Sequence, residues 1–409
     1  MGLDPLPLAT LRGVDLTCVT SGQSHGPGIT AVVSGLPAGL ELDREAIRLD
    51  LARRQAGYGR SPRQKIEQDD VEILGGVRHG LTLGGPVALI VRNRDHANWG
   101  AAMSAWPVTD EELAEVASRR SRKVVLPRPG HADLAGVMKY GLDDVRNVLE
   151  RASARETAAR VAVGAIVKGL LGQLGITVLG RVLRVGEVEA AADAGDREAF
   201  ARARTSAIGC SDPAAEQGML AAIDAAAASR DTLGGIIEVR AFGCPPGLGS
   251  HTEPRLRLDA RLAAAAVGIQ AMKGVEIGEA FANARLPGSA VHDELLYDEA
   301  RGYSRETNRA GGIEGGMSNG EPIVVRVAMK PLPTLMRPLR SARLDTHEAA
   351  EALVERSDTT AIAAAAVVGE AVVAFELARC VREKFGGDAL ADVLAAYAAY
   401  LERIPWRPR

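Results

Sequence analysis

The chain has 409 residues, of which 46% are hydrophobic and 25% charged, with a formal net charge of −3 at pH 7. This is the composition of an ordinary globular protein, and it excludes a disordered tail, a collagen-like fibre and a membrane bundle. The acidic balance and an aromatic share of only 3% also speak against a basic field or a stacking platform for nucleic acid.

In chain order, Ile29 to Val33 is predicted as a strand and Asp43 to Gln55 as a helix. Val71 to Leu74 and Val87 to Val91 are short β-rich runs bounded by glycines. Ser153 and Glu156 have capping-box spacing. Apolar residues then recur from Val161 to Leu171, and Gly175 follows the end of that helix. Ile176 to Val182 is the next strand. Asp212-Pro213 starts a helix, cap then first turn. Ile236 to Val239 reads as a strand, Leu258 to Met272 as an Ala-rich helix, and Ile323 to Met329 as an alternating strand. Ala361 to Cys380 is a long Ala/Val helix that must be buried or packed on another subunit. The fold class is α+β, with no repeat and no long linker. Cys18, Cys210, Cys244 and Cys380 lack metal-ligand spacing and read as reduced core thiols. With no secretory signal and no span long enough for a bilayer, the expectation is a cytoplasmic protein without membrane or nucleic-acid partners.

Five segments between the apolar elements can carry chemistry. Ser21 to Gly28 places Ser24 and His25 in a glycine-rich turn. Arg53 to Lys65 holds five cations, among them Arg54, Arg60 and Arg63; bidentate guanidinium suits phosphate and carboxylate. Arg predominates over Lys throughout the chain, so an isolated Arg says little. Arg128-Pro-Gly-His131-Ala-Asp133 repeats the Gly-His theme, and Asp133 can cap the next helix or orient the imidazole. Glu150 to Glu156 carries Arg151, Ser153 and Arg155 at a helix start, a ready anion site. The last is spread over Asn308 to Asn319, Lys330-Pro-Leu-Pro-Thr334 and Arg356-Ser-Asp358, where an N-cap is the plainer explanation of the final triplet. Two turn-held histidines, an acid and many Arg suggest an enzyme acting on a small polyanion. The residues alone name neither the reaction nor a flavin.

These segments resemble chorismate synthase. The resemblance runs from about Thr20 to Gly387. It rests on SGQSHGPG (21–28), RRQAGYGR (53–60), RPGHADLAG (128–136), ERASARET (150–157), GIQAMKGVEIG (268–278), NRAGGIEGGMSNG (308–320), KPLPT (330–334) and ERSD (355–358). It implies a helical layer sandwiched between antiparallel β-sheets, in one domain over residues 1–409. Residues 1–15 would be an N-terminal extension, and 388–409 a C-terminal helix and tail.

The implied reaction is 1,4-anti elimination of phosphate from 5-enolpyruvylshikimate 3-phosphate to give chorismate. It needs reduced FMN (FMNH2) without net redox change. The resemblance also implies a homotetramer, an external source of reduced flavin and an association with NADP. His131 is then the acid for the departing phosphate, His25 the proton donor near the flavin N1 and O2 edge, and Asp358 the carboxylate near N5. Flavin contacts would be Arg151, Ala152, Ser153, Gln270, Ala271, Gly315, Lys330, Pro331, Leu332, Pro333, Thr334 and Arg356. Substrate contacts would be Ser24, Arg54, Arg60, Arg63, Arg128, Arg155 and Arg356. The remaining histidines are expected to be structural. One departure is Gln23, where many members carry Glu; it removes a charge beside His25. A catalytically inactive flavin-binding paralogue of the same fold is the alternative.

Overall fold

The computed structural model describes residues 15–60, 69–116, 120, 122–191, 193, 195–300, 302–354 and 357–407. Residues 1–14 of the expected extension, and the expected contacts Arg63 and Arg356, lie outside the described residues.

Two larger antiparallel sheets form among the described residues, beside four two-stranded ones. The first contains β1 (Thr17–Ser21), β2 (Gly28–Ser34), β3 (Val71–Gly75) and β4 (Val87–Arg92) in the order β1-β2-β4-β3. The second contains β5 (Thr177–Val185), β6 (Val188–Glu189), β7 (Gly235–Phe242), β8 (Met272–Ile277) and β9 (Ile323–Met329), in the order β8-β9-β7-β5-β6. Alternation pins the register. Val325 pairs with Val239 and Val327 with Ile237, all buried, whereas Arg326 pairs with Glu238. Arg181 of β5 also lies opposite Glu238, and both guanidiniums bond its carboxylate, at 2.8 and 2.9 Å. A one-residue slip would turn these charges onto the apolar face.

The principal helices are α1 (Arg44–Gln55), α2 (Asp133–Tyr140), α3 (Arg146–Ala152), α4 (Thr157–Gln173), α5 (Pro213–Ala228), α6 (Leu258–Val267), α7 (Ile362–Phe385) and α8 (Leu390–Arg403). Helix α4 packs on β2 and β4, α7 packs on β5 and β7, and the two helices pack on each other. The expected sandwich is therefore present. Small residues permit its thinness. A Cβ at Gly164 of α4 would fall 2.3 Å from the Ala371 Cβ of α7, and one at Gly180 of β5 would fall 2.6 Å from the Ala366 carbonyl. The Ala/Val richness of α7 follows, because this helix is covered on both sides. No described helix is long and apolar enough to cross a membrane.

Two local expectations differ. The helix from Leu258 stops at Val267. Gly268 follows, Ala271 takes a left-handed φ of 69°, and Met272 already pairs with Met329 in the sheet. Sheet pairing overrides the local Ala propensity. The capping box at Ser153 does not form either. Ser153 accepts from the Arg155 amide, a 3-10 turn covers Ala154–Glu156, and α4 begins at Thr157. Glu156 instead bonds Thr20, Arg160 and Gln270.

Glu370 is the one acidic residue buried within α7, with a fully buried side chain. It accepts from the Gly180 amide at 2.9 Å, from both Arg53 amino groups at 2.6 and 2.8 Å, and from Lys168 at 3.1 Å. The cluster ties α1, α4 and α7 to β5. Burial pushes the Glu370 pKa up, but Lys168 and Arg53 outweigh it and lower it to about 2. A depressed carboxylate adds stability above its unfolded value and loses it as pH falls through the folded one. Glu370→Gln is expected to cost about 3–5 kcal/mol at pH 7, as when one partner of a buried pair is removed. Denaturant unfolding at several pH values checks this. The gap from the parent should narrow as pH falls from about 4.5 towards about 2.

Candidate active site

Loops from the first sheet, the starts of two helices and the strand end at Met329 surround a cavity of about 460 Å³. The turn between β1 and β2 brings Ser24 and His25 to it. The Asn93 amide holds that turn by donating to the carbonyls of Gln23 and Gly26 at 3.0 and 2.8 Å. The His25 ring stacks on Trp99 with centroids 4.0 Å apart. Its Nδ1 lies 2.9 Å from Glu150 Oε1, and its backbone amide donates to Glu150 Oε2 at 2.9 Å. Ser24 Oγ donates to the same oxygen at 2.6 Å.

His131 lies on the turn before α2. Its Nδ1 is hydrogen-bonded to Asp133 Oδ1, and that carboxylate is fully buried. Asp133 also accepts from the Arg128 amide at 3.0 Å and from Arg128 Nε at 2.9 Å. Burial pushes the Asp133 pKa up, but the hydrogen bonds from His131 and Arg128 and the guanidinium charge hold it well below the usual carboxylate range. An ionised carboxylate only accepts. His131 Nδ1 therefore donates, and Nε2 is the nitrogen that exchanges a proton. Arg128 Nη2 lies 3.2 Å from the same Nδ1, but two donors cannot bond each other, so the carboxylate takes the hydrogen. Asp133 thus orients the imidazole; the cap position of α2 is Ala132.

Among the described residues, five cations line the cavity: Arg54, Arg60, Arg128, Arg155 and Lys330. Arg54 Nη1 and Arg155 Nη1 converge on Asp69, at 3.3 and 2.6 Å, and the Asp69 side chain is fully buried. Burial drags the Arg54 pKa down to about 10, which still leaves it charged at neutral pH. Arg60 Nη1 pairs with Asp358 at 3.0 Å. The long helix begins only at Ile362, so Asp358 serves this pair and does not cap α7. Lys330 Nζ donates to the Gly130 carbonyl, and burial followed by the nearby Lys273 lowers its pKa. Leu149, Ile269, Met329, Leu332 and Val368 form an apolar wall. Among the described residues, Arg60 Nε and Gln270 Oε1 are buried atoms of this site that make no hydrogen bond.

The cavity brings together all three expected catalytic residues, His25, His131 and Asp358. Of the expected substrate contacts, Ser24, Arg54, Arg60, Arg128 and Arg155 line it. Of the expected flavin contacts, Ala152, Ser153, Gln270 and Ala271 line it, as do Lys330, Leu332, Pro333 and Thr334. Arg151 and Pro331 are not among its lining residues. Arg151 turns to the Thr20 carbonyl and hydroxyl, at 3.0 and 2.8 Å. Gly315 is not among the lining residues either and sits in the turn between the short strands Ile313–Glu314 and Met317–Ser318.

Sequence reasoning gave no role to Glu150, Asp69, Trp99 or Thr157. Glu150 and Thr157 are the first and last residues of the motif ERASARET, and that is their only local signal. Nothing in the spacing points to Asp69. His96 has the structural role expected of it, with Nδ1 3.0 Å from the His25 carbonyl.

A family model described as chorismate synthase matches residues 16–381. A chorismate synthase of Symbiobacterium thermophilum is 55% identical over 394 residues, covering 95% of this chain and 99% of that protein. One of Desulforudis audaxviator is 54% identical, covering 95% of this chain and 98% of that protein. A crystal structure of chorismate synthase superposes with a TM-score of 0.76 at 38% identity, covering 96% of this chain and 99% of that one. A family match over most of the chain, on a matching fold, shows that this chain belongs to the chorismate synthase family and is a lyase of the shikimate pathway.

Proposed function

We propose that the chain converts 5-enolpyruvylshikimate 3-phosphate to chorismate by 1,4-anti elimination of phosphate, with loss of a ring proton. The observation that carries this reading is one cavity in which five cations meet two histidines, each held at Nδ1 by a buried carboxylate. Arg and Lys suit a phosphate and two carboxylates. Arg54, Arg60, Arg128 and Arg155 bind these anions, and Ser24 contacts the substrate beside them. His131 gives its Nε2 proton to the departing phosphate, while Asp133 stays ionised and steadies the imidazolium.

Reduced FMN fits the residues present. Arg60 Nε is a buried donor and Gln270 Oε1 a buried acceptor, neither with a hydrogen-bond partner. The carbonyl and imide edge of a flavin offers the complementary acceptor and donor. Its flat ring suits the apolar wall. Gln270, Ala271, Ala152, Ser153, Lys330 and Thr334 would hold it. When bound, reduced FMN lends electron density to the breaking carbon–oxygen bond and recovers it, so no net redox change results. His25 would hold a proton for the reduced flavin, and Asp358, fixed by Arg60, would be the carboxylate that helps the flavin take up the ring proton. The reading includes a cytoplasmic homotetramer that receives reduced flavin from an external source.

Anaerobic incubation with the substrate and chemically reduced FMN is expected to release phosphate and chorismate in equal amounts. With oxidised FMN, release should stop. Flavin and substrate binding without turnover would instead identify an inactive paralogue. His131→Ala is expected to lower kcat by about 10²–10⁴-fold, the usual contribution of a general acid. Flavin binding, read by fluorescence quenching, should stay near the parent value. Unchanged turnover in that variant would remove His131 as the acid.

A further inference from the structure

Glu150 lies in the last turn of α3 and bonds a loop 125 residues earlier in the chain. Its own carbonyl accepts from the Ser24 amide at 3.0 Å. That bond and the two from the Asn93 side chain to the Gln23 and Gly26 carbonyls already tie the loop down. The carboxylate does more. Ser24 Oγ lies 2.6 Å from Oε2, and His25 Nδ1 lies 2.9 Å from Oε1. Glu150 is buried, with a side chain 2% exposed.

Several groups fix its state. Burial pushes the Glu150 pKa up. The hydrogen bond and charge of His25, then the Ser24 hydroxyl and the His25 amide, outweigh this and hold it below its ordinary value. Arg146 stands 3.6 Å away. Arg146 and Arg120 also lie over the Trp99 ring, at 5.0 and 5.4 Å from its centroid, on the ring that stacks with His25. His96 reaches His25 only at its carbonyl. Glu150 is thus ionised at neutral pH, and an ionised carboxylate accepts only.

We propose that Glu150 is a positioning residue that takes the Nδ1 hydrogen of His25 and the hydroxyl hydrogen of Ser24, fixing one tautomer of the histidine. Nε2 is then the nitrogen at which His25 gains and loses a proton. The single Ser24 hydrogen is committed, so towards a ligand Ser24 presents lone pairs. It accepts from a hydroxyl and does not donate to a phosphate. The 3.1 Å separation of Ser24 Oγ and His25 Nδ1 fits this arrangement, because the oxygen shares the Nδ1 hydrogen. The catalytic meaning of the tautomer rests on the reading of His25 given above; the tautomer itself does not.

The test uses the full chain, without flavin, labelled with ¹⁵N-histidine, with His25 assigned by difference from His25→Asn. At a pH where the imidazole is neutral, the parent is expected to carry the His25 ring hydrogen on Nδ1. In Glu150→Gln one acceptor oxygen becomes a donor, and the Nδ1–H signal should give way to a mixture. Under turnover conditions kcat should fall about tenfold to a hundredfold, as when an outer hydrogen-bond partner is lost, with KM near the parent value. Glu150→Asp keeps the charge and should recover part of both. Hydrogen on Nε2 in the parent overturns the proposal, and that measurement needs no variant to fold. An unchanged tautomer in Glu150→Gln overturns it as well. A parent with the Nδ1–H tautomer but no turnover removes the proposed reaction and leaves the role of Glu150 standing.

Discussion

Cations can crowd around this cavity only because buried carboxylates stand behind them. Two guanidiniums about 6 Å apart repel by roughly 3 kcal/mol at an effective dielectric near 20. Arg54 and Arg155 escape this by sharing Asp69, whose two oxygens face one guanidinium each. Asp133 does the same for Arg128 and holds His131 as well. Asp358 serves Arg60. Among the described residues, five cations line the cavity and four acids, Asp69, Asp133, Asp358 and Glu150, bond its cations and histidines, so a positive excess is left for an anionic ligand.

The same contacts fix geometry. Asp69 and Asp133 are not among the residues that line the cavity and hold their cations from behind, whereas Asp358 lines it beside Arg60. Dipoles and charges oriented in advance need no rearrangement when charge develops on a substrate. The fold makes this rigid. Helix α7 comes so close that a Cβ at Gly164 or Gly180 would clash with it, and Glu370 pins it to α1, α4 and β5. The same helix gives Ala364, Ala365 and Val368 to the wall of the cavity. The layer that stabilises the molecule therefore also shapes the site.

Much of this was legible in the sequence because it is local. The strand at Ile323–Met329 alternates, the Asp212-Pro213 pair starts a helix, and α7 is apolar on every side. The Gly-His turns announced His25 and His131 because neither histidine has a reason to fill a core there. What the sequence concealed is set over long separations. Asp69 reaches Arg155 across 86 residues. Glu156 has the right spacing to close a capping box at Ser153, yet Thr20 and Arg160 compete for its carboxylate and win. Ala271 has no residue-type signal for a left-handed φ. Its conformation follows from the need to leave α6 and join β9 within a few residues.

Gln23 makes the same point about charge. By sequence distance it is the obvious modulator of His25, two positions away, and its lack of a carboxylate reads as a lost charge. Successive side chains of a tight turn diverge, however. Gln23 borders a second hollow with His96, Arg146 and Glu150, whereas His25 lines the main cavity. The charge beside the imidazole comes from Glu150, in hydrogen-bond contact and buried from water. At such a distance in a low-dielectric setting, a partner outweighs any group whose field must cross solvent. The electrostatics of His25 are therefore decided at the end of α3, and the Glu-to-Gln difference at position 23 is felt mainly in the second hollow.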